Sequence, residues 1–354
     1  MRRRRTPDGA GVGVTGAGSG LGRALVERLA GRPDAPLVVG LDATPAPLPG
    51  VQWRPADVLA RDLATHLADL RTVVHLAVSY DPTAEAGARR VRTVRGTRAV
   101  LEAARKAGAR RVVLVSSLDV CASPASDESL PLDEDRLLRS DPDSALTGDL
   151  LELERLADHA TRTGLEVLVL RPAALIGASL GPAYDSALLG ALVAPRLLAV
   201  RGTEPQWQLC HADDLLSALE VAALGDLDGV AAVASAGWLA QREVEALTGA
   251  RRVELPASVV LSTAERLHRT GLTPGAPAEL DRLLAPLVVQ TARLAEAGWE
   301  PAWTAADALA AHLAARPSPG GRAGSYTAAG AGATVALVGT AALVRRARKR
   351  RRGR

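Results

Sequence analysis

Hydrophobic positions in this chain fall into short unbroken runs, separated by longer stretches in which they recur every three or four residues. The first run, Gly11-Val12-Gly13-Val14-Thr15, leads through a glycine-rich turn into Leu21, Leu25, Val26 and Leu29, one face of a helix. Further runs at Leu37–Leu41, Val51–Val58, Thr72–Ala77, Arg111–Ser117 and Leu165–Arg171 predict buried strands. Between them the spacing predicts helices over Leu59–Leu70, Ala86–Ala107 (closed by Gly108) and Ala145–Thr163. Strands and helices alternating at these lengths argue for right-handed crossovers and an α/β fold with a parallel, doubly wound sheet. After Pro172 the pattern loosens, with a last sheet strand expected at Val230–Val233. The remainder, mainly 173–229 and 235–315, is expected to form a smaller substrate lobe over the carboxyl ends of the strands.

Both ends differ from this body. Residues 1–8 are a basic tail, 316–325 a Pro/Gly/Ser-rich linker, 326–344 an uncharged Ala/Gly-rich segment and 345–354 a polybasic tail. The formal charge of +4 therefore misleads. Without Arg2–Arg5 and Arg345–Arg354 the body has 31 basic and 39 acidic residues, a net −8. No nucleic-acid partner is expected, since the tails carry no interleaved aromatics. Segment 326–344 barely reaches the length of a membrane span, and a span with the arginine tail in the cytoplasm would put the body on the other side. It is read instead as lying on an anionic membrane surface, with a disordered tail the equal alternative. The expected location is cytoplasmic, at most peripheral on the inner face of the membrane. Two cysteines, Cys121 and Cys210, exclude a disulfide framework.

The candidate chemistry centres on the first turn. Thr15-Gly16-Ala17-Gly18-Ser19-Gly20-Leu21-Gly22 would let backbone N–H groups approach a pyrophosphate at a helix N-terminus. Asp42 ends the next strand twenty residues after Gly22, where an acid would accept hydrogen bonds from a ribose.

With Asp57-Val58, His75-Leu76-Ala77, Gly96-Thr97, Val115-Ser116-Ser117, Leu170-Arg171-Pro172, His211-Ala212-Asp213-Asp214 and Ala297-Gly298-Trp299-Glu300-Pro301, these residues resemble the short-chain dehydrogenase/reductase superfamily. They match its extended branch of NAD-dependent epimerases/dehydratases, in the family's order, over residues 11 to about 315. The resemblance implies an NAD-binding Rossmann domain, 9–315 with its lobe, that acts on an unidentified small molecule. It puts Gly16, Gly20 and Gly22 on the pyrophosphate, Asp42 on the ribose, and Asp57 with Val58 at the adenine. Thr15, Gly18, Ser19, Leu21, Leu76, Ala77, Ser116, Arg171 and Pro172 complete the implied cofactor surface. Asp42 would repel a 2′-phosphate, so NAD is expected over NADP.

The family's catalytic Tyr-x-x-x-Lys pair is missing. Aligning the 145–163 helix puts Leu146 at the Tyr position and Leu150 at the Lys position, leaving Ser117 as a remnant of the site. The tyrosines are Tyr80, Tyr184 and Tyr326, and none precedes a lysine by four residues. Tyr80 is the substitute proton donor to test, with Asp119, Asp149 and His211 as neighbours. His75 is expected to hydrogen-bond near the nucleotide without titrating, and Cys121 to fill space. His211, Asp213 and Asp214 read either as metal ligands or as a helix cap, the cap being favoured, and no metal is expected. Arg171 would meet either a substrate phosphate or a core carboxylate. Two functions stay open: an epimerase/dehydratase-type enzyme with non-standard acid/base groups, or an inactive NAD-responsive binding module.

Overall fold

The computed structural model describes residues 11–315, except 19, 82–83, 123–128, 137, 139–144, 178–191, 193–195 and 270–286. Expectations placed on Ser19, Tyr184, Tyr326 and the 316–354 tail lie outside the described residues.

Six strands alternate with helices through the first half: β1 (Gly11–Thr15), α1 (Gly20–Ala30), β2 (Val38–Asp42), β3 (Val51–Pro55), α2 (Leu63–His66) and β4 (Leu70–His75). Next come α3 (Ala86–Arg90), a π-turn (Val91–Arg95), α4 (Gly96–Ala107), β5 (Arg111–Val115), α5 (Ala145–Arg162) and β6 (Glu166–Pro172). The later elements are β7 (Ala174–Ile176), β8 (Arg196–Val200), β9 (Gln206–Trp207), β10 (Leu209–His211), α6 (Ala212–Leu224) and β11 (Gly229–Val233). The chain goes on through β12 (Leu239–Ala240), α7 (Gln241–Thr248), β13 (Arg251–Leu255), α8 (Ala257–Arg269), α9 (Ala292–Glu296) and α10 (Ala305–Ala315).

Seven strands form one sheet in the order β11-β6-β5-β4-β1-β2-β3, and every neighbouring pair is parallel. The doubly wound α/β reading is thus met. Helices flank the sheet in two groups, α1 against α6 and α2, α4 and α5 together. The strand order reverses at β1, between β2 and β4, and such a switch point opens a crevice at the carboxyl ends of the strands. The apolar runs explain the burial: all five residues of β1 and of β5 are buried, as are Leu21, Leu25, Val26 and Leu29 of α1.

Three local expectations are corrected. The helix expected over Leu59–Leu70 is a single turn, Leu63–His66. Asp57 Oδ1 accepts from Leu59 N at 2.9 Å, Arg54 Nη1 donates to the carbonyls of His66 and Ala68, and Asp69 adopts φ 65°. These local bonds compete with a helical ladder. The next strand runs over Leu70–His75, not Thr72–Ala77. The helix over Ala86–Ala107 carries a π-turn at Val91–Arg95 before Gly108 (φ 76°) ends it. A separate apolar cluster (Ile176, Leu197, Trp207, Leu255, Val260, Leu309) holds the later strands together. Within the stretch expected as lobe, α6 instead packs on the main core through Leu215, Leu219 and Ala222.

Candidate functional site

The crevice at the end of β1 depends on missing side chains. Gly16 has φ 71°, and a Cβ there would stand 2.9 Å from Ala77 N and the Leu76 carbonyl carbon. A Cβ on Gly22 would stand 2.1 Å from Gly16 O, so the first turn of α1 is pressed onto the glycine turn. Gly18 N donates to Asp42 Oδ2 at 3.1 Å, and Asp42 Oδ1 accepts from Thr44 N at 3.1 Å. The expected ribose acid and the expected phosphate turn are therefore directly linked. Gly20 starts α1 at φ 53°, and Leu21 beneath it is buried. Asp57 is exposed, and Val58 lies within contact distance of the Cβ position of Gly96, on the neighbouring helix.

Thr15 and His75 tie β1 to β4 at the switch point. Thr15 Oγ1 accepts from Leu76 N (3.2 Å) and Ala77 N (3.4 Å) and lies 2.7 Å from His75 Nδ1. With its acceptor side occupied, the threonine hydroxyl donates to Nδ1, which leaves the ring proton on Nε2. His75 is fully buried, and burial lowers its pKa to about 4. The imidazole is neutral and structural, as expected from the sequence, but its tie to Thr15 was not foreseen.

At the end of β5 the groups face one another differently. Ser117 Oγ accepts from Asp119 N at 3.1 Å and lies 3.2 Å from Asp119 Oδ2, so the serine proton points to a carboxylate. Tyr80 donates its hydroxyl proton to Val115 O at 2.6 Å. Ser116 Oγ is buried without a hydrogen-bond partner. Helix α5 packs against the 118–120 turn and β6, with Leu150 buried and Leu146 half-buried against the same core.

Several sequence candidates prove to be occupied within the protein. Asp149 is buried between Arg89 (3.1 Å) and Arg90 (3.0 Å), which removes it as a neighbour for proton transfer. Of the two roles open to Arg171, the structure selects the core carboxylate. Arg171 Nη2 and Nε meet Glu154 at 2.6 and 3.0 Å, and Nη1 lies near Cys121 Sγ and the carbonyls of Glu134 and Arg136. Burial opposes the Arg171 charge, yet Glu154 holds its pKa above the ordinary value. Its guanidinium, placed by the resemblance on the cofactor surface, is engaged by Glu154. His211 caps α6 by accepting from Asp213 N (3.2 Å) and stacks on Trp303, with ring centroids 3.9 Å apart. Asp214 is fully buried, accepting from Ser235 Oγ and Ala302 N, both at 2.7 Å. Among the described residues no group of three His, Cys, Asp or Glu could hold a metal. Cys121 and Cys210 are both buried, and no disulfide joins them.

The model of the NAD dependent epimerase/dehydratase family matches residues 12–229. An uncharacterized protein of Mycobacterium tuberculosis is 29% identical over 311 residues, covering 84% of this chain and 81% of its own. A 3-diazoavenalumate denitrifying reductase from a Streptomyces species is 33% identical over 212 residues, 58% of this chain and 65% of its own. Among solved structures, UDP-glucuronic acid 4-epimerase from Bacillus cereus, in complex with UDP-glucuronic acid and NAD, shares the fold. Its TM-score is 0.62 at 18% identity, over 86% of this chain and 98% of that one. With the match running from β1 to the start of β11, this chain belongs to the NAD dependent epimerase/dehydratase family.

Proposed function

We propose that this chain binds NAD in the crevice at the end of β1 and works without the Tyr–Lys proton relay of its family. The observation that carries the first half is the closely packed glycine turn, where a Cβ on Gly16 or Gly22 would strike backbone and one on Gly18 would crowd Asp42, so that the turn offers bare backbone beside the start of α1. Such a cradle suits a pyrophosphate, with the N–H groups of the turn and of the start of α1 as donors. Asp42 would accept from the ribose and repel a 2′-phosphate, and Asp57 and Val58 would frame the adenine. The Bacillus cereus epimerase of the same fold holds NAD. Bound NAD would supply hydride transfer; the chain's part is to hold and orient the dinucleotide.

For the second half, the family alignment puts Leu146 and Leu150 where the phenol and ammonium belong. The candidate substitutes are occupied, Tyr80 by Val115 O and Asp149 by two arginines. The same observation favours a second reading, an NAD-responsive binding module without turnover. Calorimetric titration with NADH, followed by hydride-exchange assays with nucleotide sugars, tests both halves. NADH binding that weakens at least about tenfold in Asp42→Ala, with no nucleotide-sugar turnover, is the expected result. Absence of NADH binding overturns the first half, and turnover that survives Ser117→Ala but not Tyr80→Phe overturns the second.

The end 326–354, an uncharged segment followed by the polybasic tail, is proposed to meet an anionic membrane surface. Among the described residues no helix is long and apolar enough to cross a membrane. Pelleting with phosphatidylserine vesicles should carry down the full chain and spare a chain ending at residue 325. Equal pelleting of the two removes the tail's role.

A further inference from the structure

We infer that the outer face of the α3–α4 helix docks on an anionic phospholipid surface and turns the α2/α4/α5 layer of the body toward the bilayer. The inference rests on the reading above that residues 326–354 meet such a surface, and says which side of the body follows them there. In a body of net −8, the stretch from Ala86 to Ala107 carries seven basic side chains and one acid, Glu102. The π-turn sets their alignment. Gly96 N bonds to Val91 O, an i→i+5 closure that takes up one residue more than an α-turn. Arg90 and Arg95, five apart, therefore stand one turn apart on the same side of the helix. Steps of three, four and three carry the row on through Arg98 and Glu102 to Arg105, with Lys106 beside it. All of these are exposed, while Val94, Thr97, Val100, Leu101 and Ala104 turn inward. Arg90 is held by Asp149 at 3.0 Å, and Arg98 reaches Glu152 at 3.9 Å. Among the described residues no carboxylate lies within 4.0 Å of Arg95, Arg105 or Lys106. Like charges at helical spacing destabilise slightly, so folding does not account for the row.

The shape of the row selects the partner. From Arg95 to Arg105 the helix rises about 15 Å, too far for one phosphate, so the ligand is an extended array of anions. Guanidinium groups fork onto phosphate and carboxylate oxygens, the groups that phosphatidylserine headgroups display. Among the described residues of this helix no large apolar side chain is exposed, which argues against a protein partner with an apolar patch to bury. A second copy docked face to face would set the basic row against itself. The helix has no Trp, Tyr or Phe on which bases could stack. A lipid surface needs only net charge on an extended face, and it is the surface the polybasic tail addresses. The tail by itself leaves the body free to turn, because the linker 316–325 reaches about 35 Å when extended. The row supplies the second contact. Alone it is weak, since exposed charges are screened beyond about 8 Å at physiological salt, but the tail brings it close. Docking by this layer leaves the strand ends, where the glycine turn lies, uncovered.

The test uses the full chain and phosphatidylserine vesicles, with phosphatidylcholine vesicles as the blank. Cys121 and Cys210 are buried, so a fluorophore can be attached selectively to Glu102→Cys in the row or to Glu27→Cys in α1, in the other group of helices. Lipids with spin-labelled headgroups should quench the first and spare the second. In unlabelled protein, Arg95→Gln/Arg105→Gln should weaken vesicle binding about tenfold, and the charge-matched Arg23→Gln/Arg28→Gln of α1 less than about twofold. NADH affinity should be unchanged in the first pair, which shows that the body is intact. If the full chain fails to pellet, the tail reading falls and this one with it. If it pellets while both labels dim equally, or while the two double variants weaken it equally, the docking face alone is overturned. Vesicle affinity untouched in Arg95→Gln/Arg105→Gln, with duplex DNA binding or self-association lost instead, assigns the row to another partner and likewise overturns it.

Discussion

The two sides of the crevice are built on opposite principles. On the β1–β2 side bare backbone is packed closely: Gly16 and Gly22 lack a Cβ that would strike backbone, Gly18 one that would crowd Asp42, and the groups on offer are backbone N–H donors and one acid. On the β5–α5 side space is filled. Leu150 is buried in the core, Asp149 is clamped by Arg89 and Arg90, and Ser117 is turned onto Asp119. A turn that presents backbone N–H groups to a polar ligand has no room for side chains, whereas the β5–α5 side is packed with side chains that pair among themselves. The contrast teaches that binding and catalysis at one crevice rest on different atoms and can be tested apart.

The sharpest way to break the glycine side is Gly22→Ala. A Cβ 2.1 Å from Gly16 O forces α1 away from the turn. The expected outcome is loss of NADH binding in calorimetry and destabilisation of about 2–4 kcal/mol in urea unfolding. Gly108→Ala is the control: its φ of 76° strains an alanine, but nothing lies within 4 Å, so it should cost about 1 kcal/mol and leave binding alone. Equal effects from the two would mean the packing at Gly22 has no special role.

Arg171 and Glu154 probe the filled side. Both side chains are about 5% exposed and joined at 2.6 Å. Arg171→Met leaves a carboxylate buried without its partner and should lose about 3–5 kcal/mol. Adding Glu154→Leu should recover most of that, since two apolar groups replace a pair rather than orphan one member. A double variant as unstable as the single would show that the contacts of Arg171 with Cys121 and the Glu134 and Arg136 carbonyls matter more than the ion pair.

These pairs mark where the sequence ceased to be readable. The sheet was legible because unbroken apolar runs such as Val112–Val115 can only be interior strands, and the family because Gly16, Gly22 and Asp42 are spaced along one chain segment. Arg171 with Glu154, 17 residues apart, and Arg89 with Asp149, 60 apart, are joined by folding alone, and no local pattern announces them. The short α2 failed for another reason: Leu59–Leu70 has helical periodicity, but the Asp57 side chain and the Arg54 guanidinium claim the backbone groups a longer helix would need. Periodicity reports which face is apolar and says nothing of competing hydrogen bonds.

His75 joins the two sides, and acid should reveal it. Its pKa is about 4 when folded against an ordinary 6.5. Between those values the unfolded chain binds the proton that the native ring refuses, so stability rises with pH and is lost as pH falls from 6.5 toward 4. The full effect is about 3 kcal/mol. Urea midpoints for wild type and His75→Asn, compared at neutral pH and at about pH 4.5, isolate it, with the variant showing the smaller acid loss. Matching acid losses would return the ring to an ordinary, solvated state.

The smallest expected effect discriminates most finely between the two sides. Tyr80 sits half-buried beside β5 with its hydroxyl on Val115 O at 2.6 Å, a bond to backbone at the strand end that carries Ser117. If that bond is its purpose, Tyr80→Phe loses about 1 kcal/mol of stability and leaves NADH affinity unchanged. Were the phenol a proton donor in waiting, its removal would instead flatten any ketone reduction while sparing stability. The two accounts therefore predict losses in different measurements, and one conservative substitution separates a side chain that holds the strand end from one that serves the chemistry.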